Sequence, residues 1–136
     1  MLRDGRPLSR FGEMPEVHEL TLTLPQLPPS WDGLRVAQVS DVHAGPYMPA
    51  ARMRRIRDQV MQLEPDLVVF TGDQLDRRPD DARRFISGFE GIEAPLGVYG
   101  VLGNHDHQAG SAIATSALEA AGIRPLVNDT AVLARG

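Results

Sequence analysis

The chain of 136 residues contains no cysteine, which excludes disulfides and thiolate metal sites. Any metal must be held by Asp, Asn, His or Glu, a donor set suited to hard or borderline cations such as Mn, Mg, Fe or Zn. Lysine is absent too: all fourteen basic residues are arginine, a mark of GC-rich codon usage rather than of function. No run approaches the roughly 18 apolar residues of a membrane span. The opening MLRDGRPLSRFGEMPEV lacks the apolar core of a signal peptide. A cytoplasmic or membrane-peripheral location is therefore expected. Positive charge is not in excess, since the net charge is −4. There is also no basic stripe with interleaved aromatics, so nucleic acid is not the expected partner.

What is present suits a soluble α/β domain. The chain is 42% hydrophobic and 24% charged, enough for a core in one domain or part of one. Residues 1–16 show Gly, Pro and charge without periodicity and read as a tail or linker before a domain over residues 17–136. Glu19-Leu20-Thr21-Leu22-Thr23-Leu24 alternates and predicts a half-buried strand. Leu34–Ser40, Asp66–Thr71 and Gly97–Leu102 read as short apolar strands, with a fourth over Ile123–Val127. Between them, Met53, Ile56, Val60 and Leu63 fall at helical spacing after Pro49. Phe85, Ile86 and Phe89 mark a second helix, and Ser111–Ala121 a third that Gly122 stops. Thr130–Leu133 begins a further element. The order βαβαβαβ predicts a mainly parallel sheet with helix cover.

Three polar clusters follow three successive strands: Asp41-Val42-His43, Gly72-Asp73-Gln74-Leu75-Asp76 and Gly103-Asn104-His105-Asp106-His107. Parallel strands place their carboxyl ends on one edge, where open α/β sheets bind ligands. Asp41 and His43 are two apart, so in an extended chain both point to one side and can chelate one ion. Asp73 has two oxygens and can bridge two ions. Asn104 offers a neutral carbonyl oxygen. The glycines allow sharp turns and close backbone approach.

These three motifs, with the flanking stretches LPPSWDGLRVAQVSDVHAGP, PDLVVFTGD and APLGVYGVLGNHD, resemble the calcineurin-like metallophosphoesterases over roughly residues 17–130. The similarity is to the bacterial, membrane-associated branch of that family. The resemblance implies the N-terminal part of a four-layer α-β-β-α sandwich. It also implies hydrolysis of a phosphodiester, pyrophosphate or phosphomonoester by a metal-activated hydroxide at two divalent ions (Mn, Fe, Zn or Mg). By the same resemblance, Asp41 and His43 would bind the first metal, Asp73 would bridge, and Asn104 would bind the second and touch substrate. His105 would contact substrate and protonate the leaving group, and Asp76 would orient His105. The expected substrate is a small phosphoester or a lipid-linked phosphate, with peripheral membrane contact as an option.

The family's later histidine motifs have no counterpart here, since the last histidine is His107. The chain thus reads as the N-terminal half of the domain, truncated at its C-terminus and not expected to be a competent enzyme alone. The alternative is a non-catalytic metal-binding or interaction module keeping the front half of the fold. His107 reads as a solvent or substrate-rim residue, or as a substitute ligand. Asp106 reads as holding its loop, and His18 as structural or exposed. Arg77 and Arg78 form a solvated loop or touch phosphate. Arg52, Arg54, Arg55 and Arg57 form an exposed helix face or meet anionic lipid headgroups.

Overall fold

The computed structural model describes residues 14–135, together with the backbone of residues 2–3 and 6–7. Those last four residues form a small antiparallel pair, β1 (Leu2–Arg3) with β2 (Arg6–Pro7). The rest of the tail expected over residues 1–13 lies outside the described residues. The domain proper runs β3 (Val36–Val39), α1 (Ala50–Gln62), β4 (Leu67–Phe70), α2 (Asp81–Phe89), β5 (Val98–Gly100), α3 (Asn104–Ala109), α4 (Ser111–Ala120) and β6 (Arg124–Pro125).

The four later strands form one sheet in the order β3-β4-β5-β6, each parallel to its neighbour. Val36 to Val39 stand opposite Leu67 to Phe70, and Val68 to Phe70 opposite Val98 to Gly100. Sequential order with right-handed crossovers puts the connecting helices on a single face. Burial follows from this. Val39, Val68, Phe70, Val98 and Gly100 alternate onto the covered face and are buried. Val36, Gln38 and Arg124 on the opposite face are exposed. The described residues therefore supply one sheet layer and one helix layer of an α/β architecture.

The helix layer closes over an aromatic cluster. The Phe70 ring meets Phe85 and Phe89 edge-on at 5.9 and 5.1 Å, contacts worth about 0.5–1.5 kcal/mol each beyond their area. Met53, Ile56 and Val60 bury the inner face of α1, as their spacing predicts. α1 lies tight on α2 because Gly88 has no side chain: a Cβ there would sit 2.4 Å from the Met53 Cβ. That close approach offsets the roughly 0.5–1 kcal/mol that a glycine costs inside a helix.

The arginine run on α1 is partly committed to this packing. Arg54 donates to the Ser87 carbonyl and hydroxyl, and Arg57 donates to the Glu90 carbonyl at 2.8 Å. A cation on the last carbonyls of α2 interacts favourably with the negative end of its helix dipole. Among the described residues, no helix is long and apolar enough to cross a membrane.

Three sequence expectations are corrected. Glu19–Leu24 forms no strand, and Leu20, Leu22 and Leu24 are 81%, 70% and 58% exposed. Alternation makes a strand only where a neighbouring edge accepts it, and no described strand pairs with this segment. Thr130–Leu133 is irregular for the same reason, and the fourth strand shortens to Arg124–Pro125, with the Leu126 N–H donating to the Gly100 carbonyl at 2.8 Å just beyond it.

Candidate active site

All three polar clusters lie at the carboxyl edge of the sheet, and the chain ties them together beyond the strands. Thr71 N–H donates to the Val39 carbonyl, Asp41 N–H to Gly72, His43 N–H to Asp73, Ala44 N–H to Gln74, and Asp76 N–H to Ala44, all at 2.9–3.1 Å. The two loops after β3 and β4 are thus zipped in parallel. This run turns through the left-handed region at Asp41 (φ 55°), His43 (φ 50°) and Asp73 (φ 56°). Asp and His visit that region more readily than most residues, yet each such position costs about 1–3 kcal/mol. Three in one cluster of potential ligands are held there by the surrounding hydrogen bonds.

The third loop enters through two glycines. Gly72 (φ 113°) faces Gly103, and a Cβ on Gly72 would stand 3.1 Å from the Gly103 Cα. A Cβ on Gly103 would stand 2.2 Å from Asp73 Oδ1 and 2.6 Å from the Asp73 nitrogen. Glycine in both G-D and G-N-H is therefore what lets the Asp73 carboxylate lie across the start of α3.

The side chains converge on Asp73 and His43. Asp73 Oδ1 accepts from the His105 backbone N–H at 3.0 Å. The Asn104 amide lies 3.2 and 3.3 Å from the two Asp73 oxygens. With its nitrogen inward it donates to both; with its oxygen inward, three oxygens face one point, as ligands to a shared cation do. The His43 ring is surrounded by three carboxylates: Asp41 at 3.6 Å, Asp73 at 3.8 Å and Asp76 at 3.5 Å. His43 and His105 meet edge to face at 4.6 Å. One ligand atom each from His43, Asp73 and His105 lies within 4.8 Å of the others. A site with this excess of negative charge fits a divalent cation, often the largest local charge where one binds. His105 thus stands in the same group as the expected ligands.

Asp76 contacts His105 in two ways. Its backbone carbonyl meets His105 Nδ1 in a short hydrogen bond, while its carboxylate stands 3.9 Å from the same nitrogen and closer to His43. The carboxylate expected to orient His105 alone is thus shared between two imidazoles. His107 and His18 are exposed and neither belongs to the ligand group among the described residues. Arg77 and Arg78 are exposed on the loop beside Asp76.

Three supporting residues were less legible. Asp81 is buried at the start of α2, accepts from the backbone N–H groups of Arg77 and Arg78, and is met by the Arg84 guanidinium at 3.0 Å. It fastens the loop that carries Asp76. The signal was Pro79-Asp80-Asp81, an acidic first helical turn. Asp106 is buried and accepts from Gly103 N–H at 2.9 Å, the N3-to-N-cap half of a capping box. Gly103-Asn104-His105-Asp106-His107 is therefore the first turn of α3 rather than a loop. Gln74 is buried, and its Nε2 donates to the Val101 carbonyl at 2.9 Å.

The chain is 33% identical over 100 residues to a transmembrane protein with metallophosphoesterase domain of Danio rerio, covering 74% of this chain and 23% of that one. It is 40% identical over 76 residues to the UDP-2,3-diacylglucosamine pyrophosphatase LpxG of Chlamydia muridarum, covering 55% and 23%. It is 33% identical over 124 residues to the metallophosphoesterase YkuE of Bacillus subtilis, covering 87% and 43%. The chain spans less than half the length of these curated relatives. No solved structure matches it. The profile of the calcineurin-like phosphoesterases matches residues 34–131, which include all three strand-end clusters, and the chain belongs to that family.

Proposed function

We propose that this chain supplies the front half of a dinuclear metal site that hydrolyses a phosphoester. The observation that carries the reading is the meeting of three strand-end loops at Asp73, whose carboxylate touches Asn104 and the His105 backbone and stands 3.8 Å from His43. Asp41, His43, Asp73 and Asn104 would hold the metal. When bound, two divalent ions would supply charge neutralisation for the phosphoryl oxygens and a water of lowered pKa as nucleophile.

The chain's own residues do the rest. Asn104 lies exposed at the rim, where its amide can bind a phosphoryl oxygen. His105 has Nδ1 engaged by the Asp76 carbonyl, which fixes the ring and leaves Nε2 to carry a proton to the leaving oxygen. Asp76 is a positioning group for both imidazoles. Similarity to a UDP-2,3-diacylglucosamine pyrophosphatase supports a pyrophosphate or lipid-linked phosphate as the substrate class.

The test is a calorimetric manganese titration with hydrolysis of bis(p-nitrophenyl) phosphate followed in parallel. Manganese binding with turnover above the metal-free rate supports the reading, and failure to retain manganese overturns it. His105→Gln should leave manganese affinity within about 3-fold while slowing turnover roughly 10²- to 10⁴-fold, the usual contribution of a general acid. That loss is expected on a substrate with an alkoxide leaving group; with bis(p-nitrophenyl) phosphate it should be much smaller, because p-nitrophenolate departs without a proton. A second reading is a non-catalytic metal-binding module: manganese binding that gives no turnover even when the chain is joined to the part of its relatives it does not span would favour it.

A further inference from the structure

Asp106 is a buried carboxylate with no cation beside it among the contacts of the described residues. It is 0% exposed, and its oxygens accept only backbone N–H groups: Gly103 at 2.9 Å, Leu75 at 2.9 Å and Gln74 at 3.3 Å. The first belongs to its own helix start. The other two belong to a loop 31 and 32 residues earlier. An ordinary capping carboxylate sits at the surface and serves one helix. This one joins two loops, and they are the two that carry Asp73 on one side and Asn104 and His105 on the other.

Gln74 adds a second tie between the same elements. It is 2% exposed and follows Asp73 directly. Its Nε2 donates to the carbonyl of Val101, two residues before Gly103. Its Oε1 is buried without a partner, so among the described residues the bond to Val101, just past β5, is the one the side-chain amide makes. A pair of groups that served only stability would be replaceable by apolar packing of the same shape. Here the backbone donors of Gln74 and Leu75 are met by a carboxylate on α3.

We propose that Asp106, assisted by Gln74, is a positioning residue. It clamps the loop after β4 to the first turn of α3 and so fixes the Asp73 carboxylate between His43 and the Asn104–His105 pair. The inference rests on the metal-site reading above for its consequence, but the clamp itself exists without metal. Asp106→Asn keeps the shape, loses one acceptor and turns an amide donor towards backbone donors. The loop and helix then separate, and Asp73 loses its bond from the His105 N–H.

Two readouts on the full chain test this. The first uses the metal-free protein: amide hydrogen exchange at His105, Leu75 and Gly103. In Asp106→Asn these three should exchange at least about 10-fold faster relative to Val68 in the core. Val60→Ala on α1 serves as a control of comparable melting temperature, and there the ratio should stay unchanged. The second is manganese affinity by calorimetry, expected to fall about 10- to 100-fold in Asp106→Asn, the range seen for outer-shell partners of metal ligands, and to hold in Val60→Ala.

If Asp106→Asn does not fold, Gln74→Met decides. It removes only the tie to Val101 and should raise His105 exchange and weaken manganese binding by about 3-fold. Unchanged exchange ratios in the variant that folds overturn the clamp. A wild-type chain that binds no manganese overturns the metal reading, while the exchange ratios still decide the clamp.

Discussion

Asp73→Asn should abolish manganese binding, with affinity falling at least about 100-fold, beyond the loss expected for an outer-shell residue. The fold should survive. Asp73 is half-buried at the sheet edge, and an asparagine fits the same volume. What changes is the donor set. Asp73 Oδ1 accepts from the His105 N–H at 3.0 Å while Oδ2 faces His43 Nε2 at 3.8 Å. Asparagine keeps one oxygen, so either the His105 bond or the metal-facing oxygen is lost. It also removes one of three carboxylates crowded around His43. The metal-free variant should therefore melt at or above the wild-type temperature. Manganese should raise the wild-type melting temperature and leave that of Asp73→Asn unmoved, because a ligand stabilises only the state that binds it. Differential scanning calorimetry with and without manganese reads both effects.

Gly103→Ala should be as damaging to the site while adding no charge and removing no ligand. The new methyl would lie 2.2 Å from Asp73 Oδ1 and 2.6 Å from the Asp73 backbone nitrogen. A backbone atom cannot rotate away, so the loop after β4 or the start of α3 must move. Overpacking of this kind costs about 1–3 kcal/mol. The functional cost is larger, since a displacement of about 1 Å can cost roughly 100-fold in a preorganised site. Manganese affinity should fall about 100-fold with a melting-temperature loss of only several degrees. Wild-type affinity in Gly103→Ala would mean that the close approach of the two loops does not shape the site.

Much of this was legible in the chain, and for identifiable reasons. Met53, Ile56 and Val60 declare α1, because a helix on a sheet must present one apolar stripe. The runs around Val36, Val68 and Val98 declare parallel strands, and parallel strands force Asp41, Asp73 and Asn104 to one edge. Glu19–Leu24 departs from the strand its pattern predicts because period-two alternation reports a strand's faces and says nothing of whether an edge is available to pair. The clamp at Asp106 was only glimpsed. Its partners are backbone groups 31 and 32 residues away, and no local pattern encodes which loop a buried carboxylate will meet. The Asp76 carbonyl on His105 was illegible for the same reason: sequence names side chains, whereas the contact is made by main chain.

The helix face carrying Arg54 and Arg57 illustrates how packing reassigns residues that look idle. Both guanidinium groups bind carbonyls at the end of α2. That leaves less of the run for lipid headgroups than the sequence alone suggests.

The central proposal is that residues from three strand ends bind divalent cation at the carboxyl edge of the sheet. Manganese-edge anomalous scattering from crystals of the chain grown with manganese tests it most directly. The account predicts a peak within coordinating distance of Asp73 and His43, flanked by Asp41 and Asn104. A peak only at the opposite end of the sheet, in the cavity lined by Glu64, Asp66 and Glu93, would contradict it.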